Sequence, residues 1–430
     1  MTNCPDVPAP TNLKEALDFA GALSGNQGLK DHVGKELERH VSGYSTAIHV
    51  DHNLSEALRN VTKLHDKLVA QTENYGHYIG LESQSADCLA DAVSDCFPTL
   101  YCTLSYFNFN VNGTAYEGGG KWANQQCSDA HYLASWLKGN SERPSASGQT
   151  SSATIWRGGF DSGDLQCSNT TDFSSQLKDC VEDNGDKFPM LLSGILFLNP
   201  SFPELTSTFL VFVLEMCIII SGEGSESEDE DGDSRNTLHE TFRVRYETKF
   251  PGYVTLKQCC KSLKSNIETL IGQESSGDDT SPLRIPRNSH TLFKEKLHSD
   301  KFPLYLTWLS RNLPSLIAHL QQMETDCTNW DPQKMSNGQA AGPFPYGFGF
   351  SSKWNKGTVQ ETLRKLTAEG SDGLPALRSH VKSLIASSTS SSAGSIAGSL
   401  LGTAAVGGAG AAVALNVGGV TTALKGAIGI

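Results

Sequence analysis

LTSTFLVFVLEMCIII, residues 205–220, is the stretch on which the fold turns. As a membrane span it would place much of the chain across a bilayer; as a buried helix it would be the apolar centre of a helical globule. Its sixteen residues reach only ~24 Å at the helical rise, short of a ~30 Å hydrocarbon layer. Glu215 lies inside it and Pro203 sits just before it, and an ionisable group is expensive in lipid. The length and the acid point to a core helix.

Working outward, helical spacing recurs on both sides. Asn12 and Glu15 have capping-box spacing, and Leu13, Ala16, Leu17, Ala20 and Leu23 share one face until Gly25. Leu54, Ala57, Leu58, Val61, Leu64 and Leu68 predict a helix from about Asn53 to Thr72. Downstream, Val254, Leu256, Leu263, Ile267, Leu270 and Ile271 predict a helix through the vicinal pair Cys259-Cys260. Pro303 opens another, with Leu306, Leu309, Leu313, Ile317 and Leu320 as a near-heptad seam and Pro314 as a kink or junction. Two short helices carry Val359, Leu363 and Leu366, then Leu377, Val381 and Leu384, the second beginning near Pro375.

Other stretches read differently. From Cys88 to Cys180 the period weakens and Gly, Ser and Asn accumulate, which predicts loops held by crosslinks. Glu223–Asp233 packs seven acids into EGSESEDEDGD, without the ligand spacing of a calcium loop, and reads as a solvated loop. Ser383–Leu424 holds no charged side chain. Its part from Ala397 to Val420 is long enough to cross a bilayer, although Ala and Gly give little hydrophobic gain per residue, and a flexible tail is the alternative. Gly398 and Gly402 would form a small-residue packing face. Six residues follow Leu424, so an anchor there leaves almost no tail beyond it.

The expected fold class is therefore mainly α: a helical-bundle ectodomain with a loop-rich, disulfide-tied region and one C-terminal transmembrane helix. The expected segments are a helical region over 1–85, a cysteine- and loop-rich region over 86–222, an acidic loop over 223–235, a second helical region over 236–386, a Ser-rich spacer over 387–396 and a membrane helix over 397–424.

A net charge of −13 argues against a nucleic-acid partner, because no basic stripe is available to neutralise phosphates. The N-terminus lacks a basic segment followed by an apolar run, so no standard secretory signal is read there. The eleven cysteines include no CxxC pair, which disfavours zinc and redox motifs. Disulfides are the more economical reading, with Cys88, Cys96, Cys102, Cys127, Cys167, Cys180, Cys259, Cys260 and Cys327 as candidates and the connectivity open. The sequons at Asn53, Asn60, Asn112 and Asn169 are compatible with an outer face but decide nothing.

No HExxH, GxSxG or phosphate-binding GxxxxGK[ST] occurs, and His49 with His52 forms a lone HxxH. No catalytic, cofactor or metal residue is assigned, and the chain is read as a non-enzyme. The string Phe344, Tyr346, Phe348 and Phe350, broken by Gly and Pro, is the best candidate contact loop. Packing of its rings onto adjacent helices is the favoured alternative.

Four segments together carry a family resemblance: Thr11-Asn12-Leu13-Lys14-Glu15-Ala16, Ile155-Trp156-Arg157-Gly158-Gly159-Phe160, Phe302-Pro303-Leu304-Tyr305-Leu306-Thr307-Trp308-Leu309, and Gly342-Pro343-Phe344-Pro345-Tyr346-Gly347-Phe348-Gly349-Phe350. In order and combination they resemble the variant erythrocyte surface antigens of Babesia parasites. The resemblance implies a single-pass membrane protein on the surface of the infected red cell, taking part in antigenic variation and adhesion to host endothelium. It also implies a host endothelial receptor as partner and a related family chain as heterodimer partner. A soluble secreted or truncated relative, without membrane insertion, is the alternative.

Overall fold

A computed structural model of the chain describes residues 7–69, 78, 80–112, 137, 155–160, 170–183, 187–222, 233–273, 281–285, 289–332 and 342–401. It is mainly helical. Asn12 caps helix α1 (Leu13–Gly25), its Oδ1 accepting the Glu15 N–H at 2.9 Å. Glu15 reaches back to the Thr11 N–H at 2.7 Å, one residue before the cap. Asn26 caps α2 (Gln27–Val41) in the same way. α3 (Val50–Leu68) buries Leu54, Ala57, Leu58, Val61, Leu64 and Leu68 against α1 and α2. It ends at Leu68, short of Thr72, because Val69 turns to extended backbone.

The region expected to be loop-rich opens instead with one of the longest helices, α4 (Ala86–Asn112). Nearly every side of α4 is buried, with Leu89, Val93, Phe97, Leu100, Leu104 and Phe107 alongside Cys96, Cys102 and Tyr106. Its wet side is confined to the short line Asp87, Asp91 and Asp95, so the apolar face is too broad to stand out as a helical period. α5 (Thr170–Lys178) runs into a π-helical turn, Asp179–Asp183, and α6 (Lys187–Leu198) follows.

The deciding stretch forms α7 (Thr206–Ser221), and every residue in it is buried. Among the described residues, Pro203–Ser221 is the one helix long and apolar enough to cross a membrane, and 94% of its most apolar part lies inside the protein. Glu215 pairs there bidentately with Arg235 of α8 (Asp233–Tyr246), at 2.8 and 2.6 Å. A buried carboxylate is tolerated when it is paired and hydrogen-bonded in this way. The expected acidic loop lies outside the described residues from 223 to 232, and Asp233 already opens α8.

α9 (Tyr253–Ile271) packs its apolar face on α7, except that Val254 is 77% exposed. α10 (Phe302–Asp326) runs unbroken through Pro314, which corrects the expected junction. Proline lacks the N–H that would bond to the carbonyl four residues earlier. That carbonyl, of Ser310, instead accepts from Arg378 Nε at 3.2 Å. α11 (Lys356–Thr367) packs on α9 and α10, burying Val359, Leu363 and Leu366. Phe197, Phe209, Phe212, Phe293, Tyr305 and Trp308 mesh between α6, α7 and α10, with Phe209 and Trp308 ring centres 4.8 Å apart. A two-residue antiparallel ladder pairs β1 (Leu283–Arg284) with β2 (Gly349–Phe350).

α12 spans Leu374–Leu401. By its contacts the chain divides into two units, Met1–Ile385 and Ala386–Ile430. In the first, Leu377, Val381 and Leu384 are buried, so the start of the uncharged tract belongs to the folded core. In the second, the expected Ser-rich spacer 387–396 is helical, since Ser and Ala permit helix and no proline intervenes. The expected membrane helix is helical over Ala397–Leu401, and its remainder, 402–424, lies outside the described residues.

Candidate functional site

The candidate contact loop is not a surface. Phe344, Tyr346, Phe348 and Phe350 are 4%, 1%, 1% and 2% exposed. Phe344 lies 5.6 Å from Tyr106 and 5.3 Å from Phe109, both on α4, and Phe350 lies 4.7 Å from Trp354. Tyr346 donates its hydroxyl to Asp326 Oδ2 at 2.6 Å. Burial, then the Asp326 carboxylate, push the Tyr346 phenol well above its ordinary range. The turn depends on Gly347, whose φ is 78° and which abuts Ser207 and the Glu204 carbonyl. Apolar rings separated by Gly and Pro thus fold inward, because exposing four of them would forfeit their burial.

The other family-like segments are also scaffold. Lys14 N–H donates to the Gly158 carbonyl at 3.3 Å, joining the first segment to the second. A Cβ on Gly159 would lie 2.7 Å from Asn12 Cγ, and the φ of Gly159 is 91°, so this contact requires glycine. Trp156 N–H donates to Thr103 Oγ1 of α4 at 3.0 Å. In the third segment, Tyr305 donates to the Tyr44 carbonyl at 2.6 Å and Trp308 Nε1–H to the Phe197 carbonyl at 3.3 Å.

The disulfide expectation is corrected for most of its cysteines. Cys88 is disulfide-bonded, to a partner outside the described residues. Cys96, Cys102, Cys180, Cys259, Cys260 and Cys327 are free and buried, as is Cys217. Cys127 and Cys167 lie outside the described residues. Burial pushes the thiols of Cys180, Cys259 and Cys327 up to about 12, and those of Cys96, Cys102 and Cys260 upward too. Cys260 additionally shares a hydrogen bond with Cys217. Held as neutral thiols, they behave as small apolar core residues rather than as nucleophiles.

His49 has a left-handed φ of 50° and precedes α3, and among the described residues no further ligand gathers with the histidine pair of the HxxH. The sequon residues Asn53 and Asn60 are 3% and 6% exposed, so neither side chain is presented for modification in the folded chain. A groove of about 710 Å³ lies beside Pro314, between α10 and the start of α12, with Arg378, Lys382 and Glu369 in its lining. Among the described residues one mixed group of potential metal ligands comes together: Glu36 and His40 of α2 with Asp87 of α4. Glu36 is held below its ordinary carboxylate range, chiefly by its hydrogen bonds from Arg39. Glu36 and His40 have the four-residue spacing that a sequence reading could have found; Asp87 comes from a distant helix and could not be paired with them from sequence.

Compared with known proteins, the chain matches no family model, no curated protein and no solved structure.

Proposed function

We propose that the chain is a non-catalytic surface antigen of the variable, adhesive kind that it resembles, displayed by Babesia parasites on the infected red cell. The observation that carries this reading is the ordered set of four unusual segments beginning at Thr11, Ile155, Phe302 and Gly342. In the described residues these segments make scaffold contacts: Lys14 to Gly158, Trp156 to Thr103, Tyr305 to Tyr44, Tyr346 to Asp326. A scaffold kept by buried residues leaves the solvent-facing side chains of the helices free to differ between sister antigens, which suits antigenic variation. The aromatic string is spent on the core, so adhesion to a host endothelial receptor falls to those outer faces.

Membrane attachment in this reading runs through the uncharged tract. Leu384 is committed to the core, so the anchor is drawn from the residues after Ile385, chiefly 397–424. Pairing with a related family chain completes the assembly. Protease treatment of intact infected cells tests display: the chain should be clipped along with known surface proteins. Full protection of the chain under those conditions refutes it, and release by alkaline extraction would identify a form that is not membrane-inserted.

A further inference from the structure

We propose that Glu36, His40 and Asp87 form a zinc(II) site that clamps α2 to the first turn of α4 and keeps one coordination position open to solvent. Glu36 and His40 are four residues apart on α2, so their side chains rise from the same face. Asp87 is the second residue of α4, which packs against α2. His40 Nε2 lies 3.1 Å from Glu36 Oε1 and 3.5 Å from Asp87 Oδ1, and the three ligand atoms all fall within 4.8 Å of one another. Ligands ~2.0–2.1 Å from a tetrahedral zinc stand ~3.3–3.4 Å apart. The two separations from His40 Nε2 bracket that edge, and Glu36 and Asp87 lie within 4.8 Å of each other, so side-chain rotation brings the three atoms to zinc-ligand spacing.

The chemistry of the donors narrows the ion. One imidazole and two carboxylates suit zinc, and the two negative charges balance its double positive charge. Calcium and magnesium prefer all-oxygen shells with more ligands. Asp87 is also well placed to be held still. Its neighbour Cys88 is disulfide-bonded, and the Cys88 N–H is held by Ser85 Oγ at 3.2 Å.

The same position already attracts a cation. Arg39 directs its guanidinium at Glu36 Oε1 and stands 2.8 Å from His40 Nε2. Arg39 and zinc cannot share these acceptors, since both need the same lone pairs. The Arg39 side chain is 66% exposed, so it can swing into water when the metal enters. Arg39 is thus a built-in competitor, and removing it should tighten metal binding.

The experiment is a zinc titration of the purified, chelator-stripped chain with its disulfide intact, read by competition with a chromophoric chelator, with far-UV circular dichroism on each variant. The expected result is one equivalent of zinc bound, resistant to excess magnesium. His40→Ala, Glu36→Gln and Asp87→Asn should each weaken it by at least ~10-fold, the loss that even an outer-shell partner's removal causes. Arg39→Gln should tighten it, a gain that misfolding cannot produce. The proposal is overturned if the wild-type chain takes up no zinc, if the three ligand variants bind as the wild type does, or if Arg39→Gln binds more weakly.

Discussion

Replacing Gly347 with alanine should be among the most damaging single-methyl additions in the chain. The residue holds φ at 78°, a region that costs an L-residue ~1–2 kcal/mol. Its new Cβ would sit 2.8 Å from the Glu204 carbonyl oxygen and closer still to Ser207 Oγ. Ser207 can rotate, but the carbonyl belongs to the backbone of the 3₁₀ turn Pro203–Leu205 and cannot retreat alone. Overpacking of this kind costs a further ~1–3 kcal/mol, so the expected loss is ~2–5 kcal/mol in all. Gly349→Ala is the control two residues on. Its Cβ would meet nothing closer than 3.6 Å, so the change should be neutral or gain up to ~1 kcal/mol by restricting the unfolded chain. Urea unfolding followed by tryptophan fluorescence measures both, because Trp354 lies against Phe350. A second readout is the Cys102 thiol, which donates to the Glu204 carbonyl at 3.7 Å and accepts from the Gly347 backbone. It should become accessible to alkylation in Gly347→Ala. The reasoning is refuted if Gly347→Ala stays within ~0.5 kcal/mol of wild type, the range of an ordinary surface substitution, or if Gly349→Ala costs as much.

Two further outcomes are expected. Burial lowers the His319 pKa to about 4, whereas the unfolded chain takes up that proton near ~6.5. The neutral residue's contribution is therefore complete above ~6.5 and is lost as pH falls through 4, by up to ~3 kcal/mol; His319→Gln should flatten that part of a stability-against-pH curve. Alkylation of the native chain should spare Cys96, Cys102, Cys180, Cys217, Cys259, Cys260 and Cys327 until denaturant is added, and peptide mapping that finds any two of them crosslinked would contradict the structure.

What could be read from the sequence was what alternates. α1, α3, α9, α11 and α12 announce themselves because one face is apolar and the other is wet, and their stripe residues are buried with the exception of Val254. α4 and α7 hardly alternate, since α7 has no wet face and α4 has one only along Asp87, Asp91 and Asp95. The second was recovered from its length and its acid, while the first was read as loop. Arg235 as the partner of Glu215, and Arg378 as the donor replacing Pro314, come from other helices and leave no local trace. Cysteine number suggested crosslinks, yet a thiol in a core serves the same packing role as a small aliphatic side chain. Spacing could not distinguish the two. The aromatic string offered a contact loop with packing onto adjacent helices as the favoured alternative, and its rings face α4 and Trp354.

α10 takes bonds from residues far apart in the sequence of the first unit. Tyr305 reaches back 261 positions to Tyr44, Trp308 reaches Phe197, Asp326 accepts from Tyr346, Glu324 pairs with Arg364, and Ser310 accepts from Arg378. During synthesis the first two hundred residues therefore emerge without the surface that completes their core. Closing contacts across such separations is slow, and incomplete packing leaves apolar helices such as α7 open to aggregation. Native packing of the first unit must wait until Asp326 and the helices after it have left the ribosome. How long apolar segments such as α7 stay uncovered is thus set by where α10 falls in the chain.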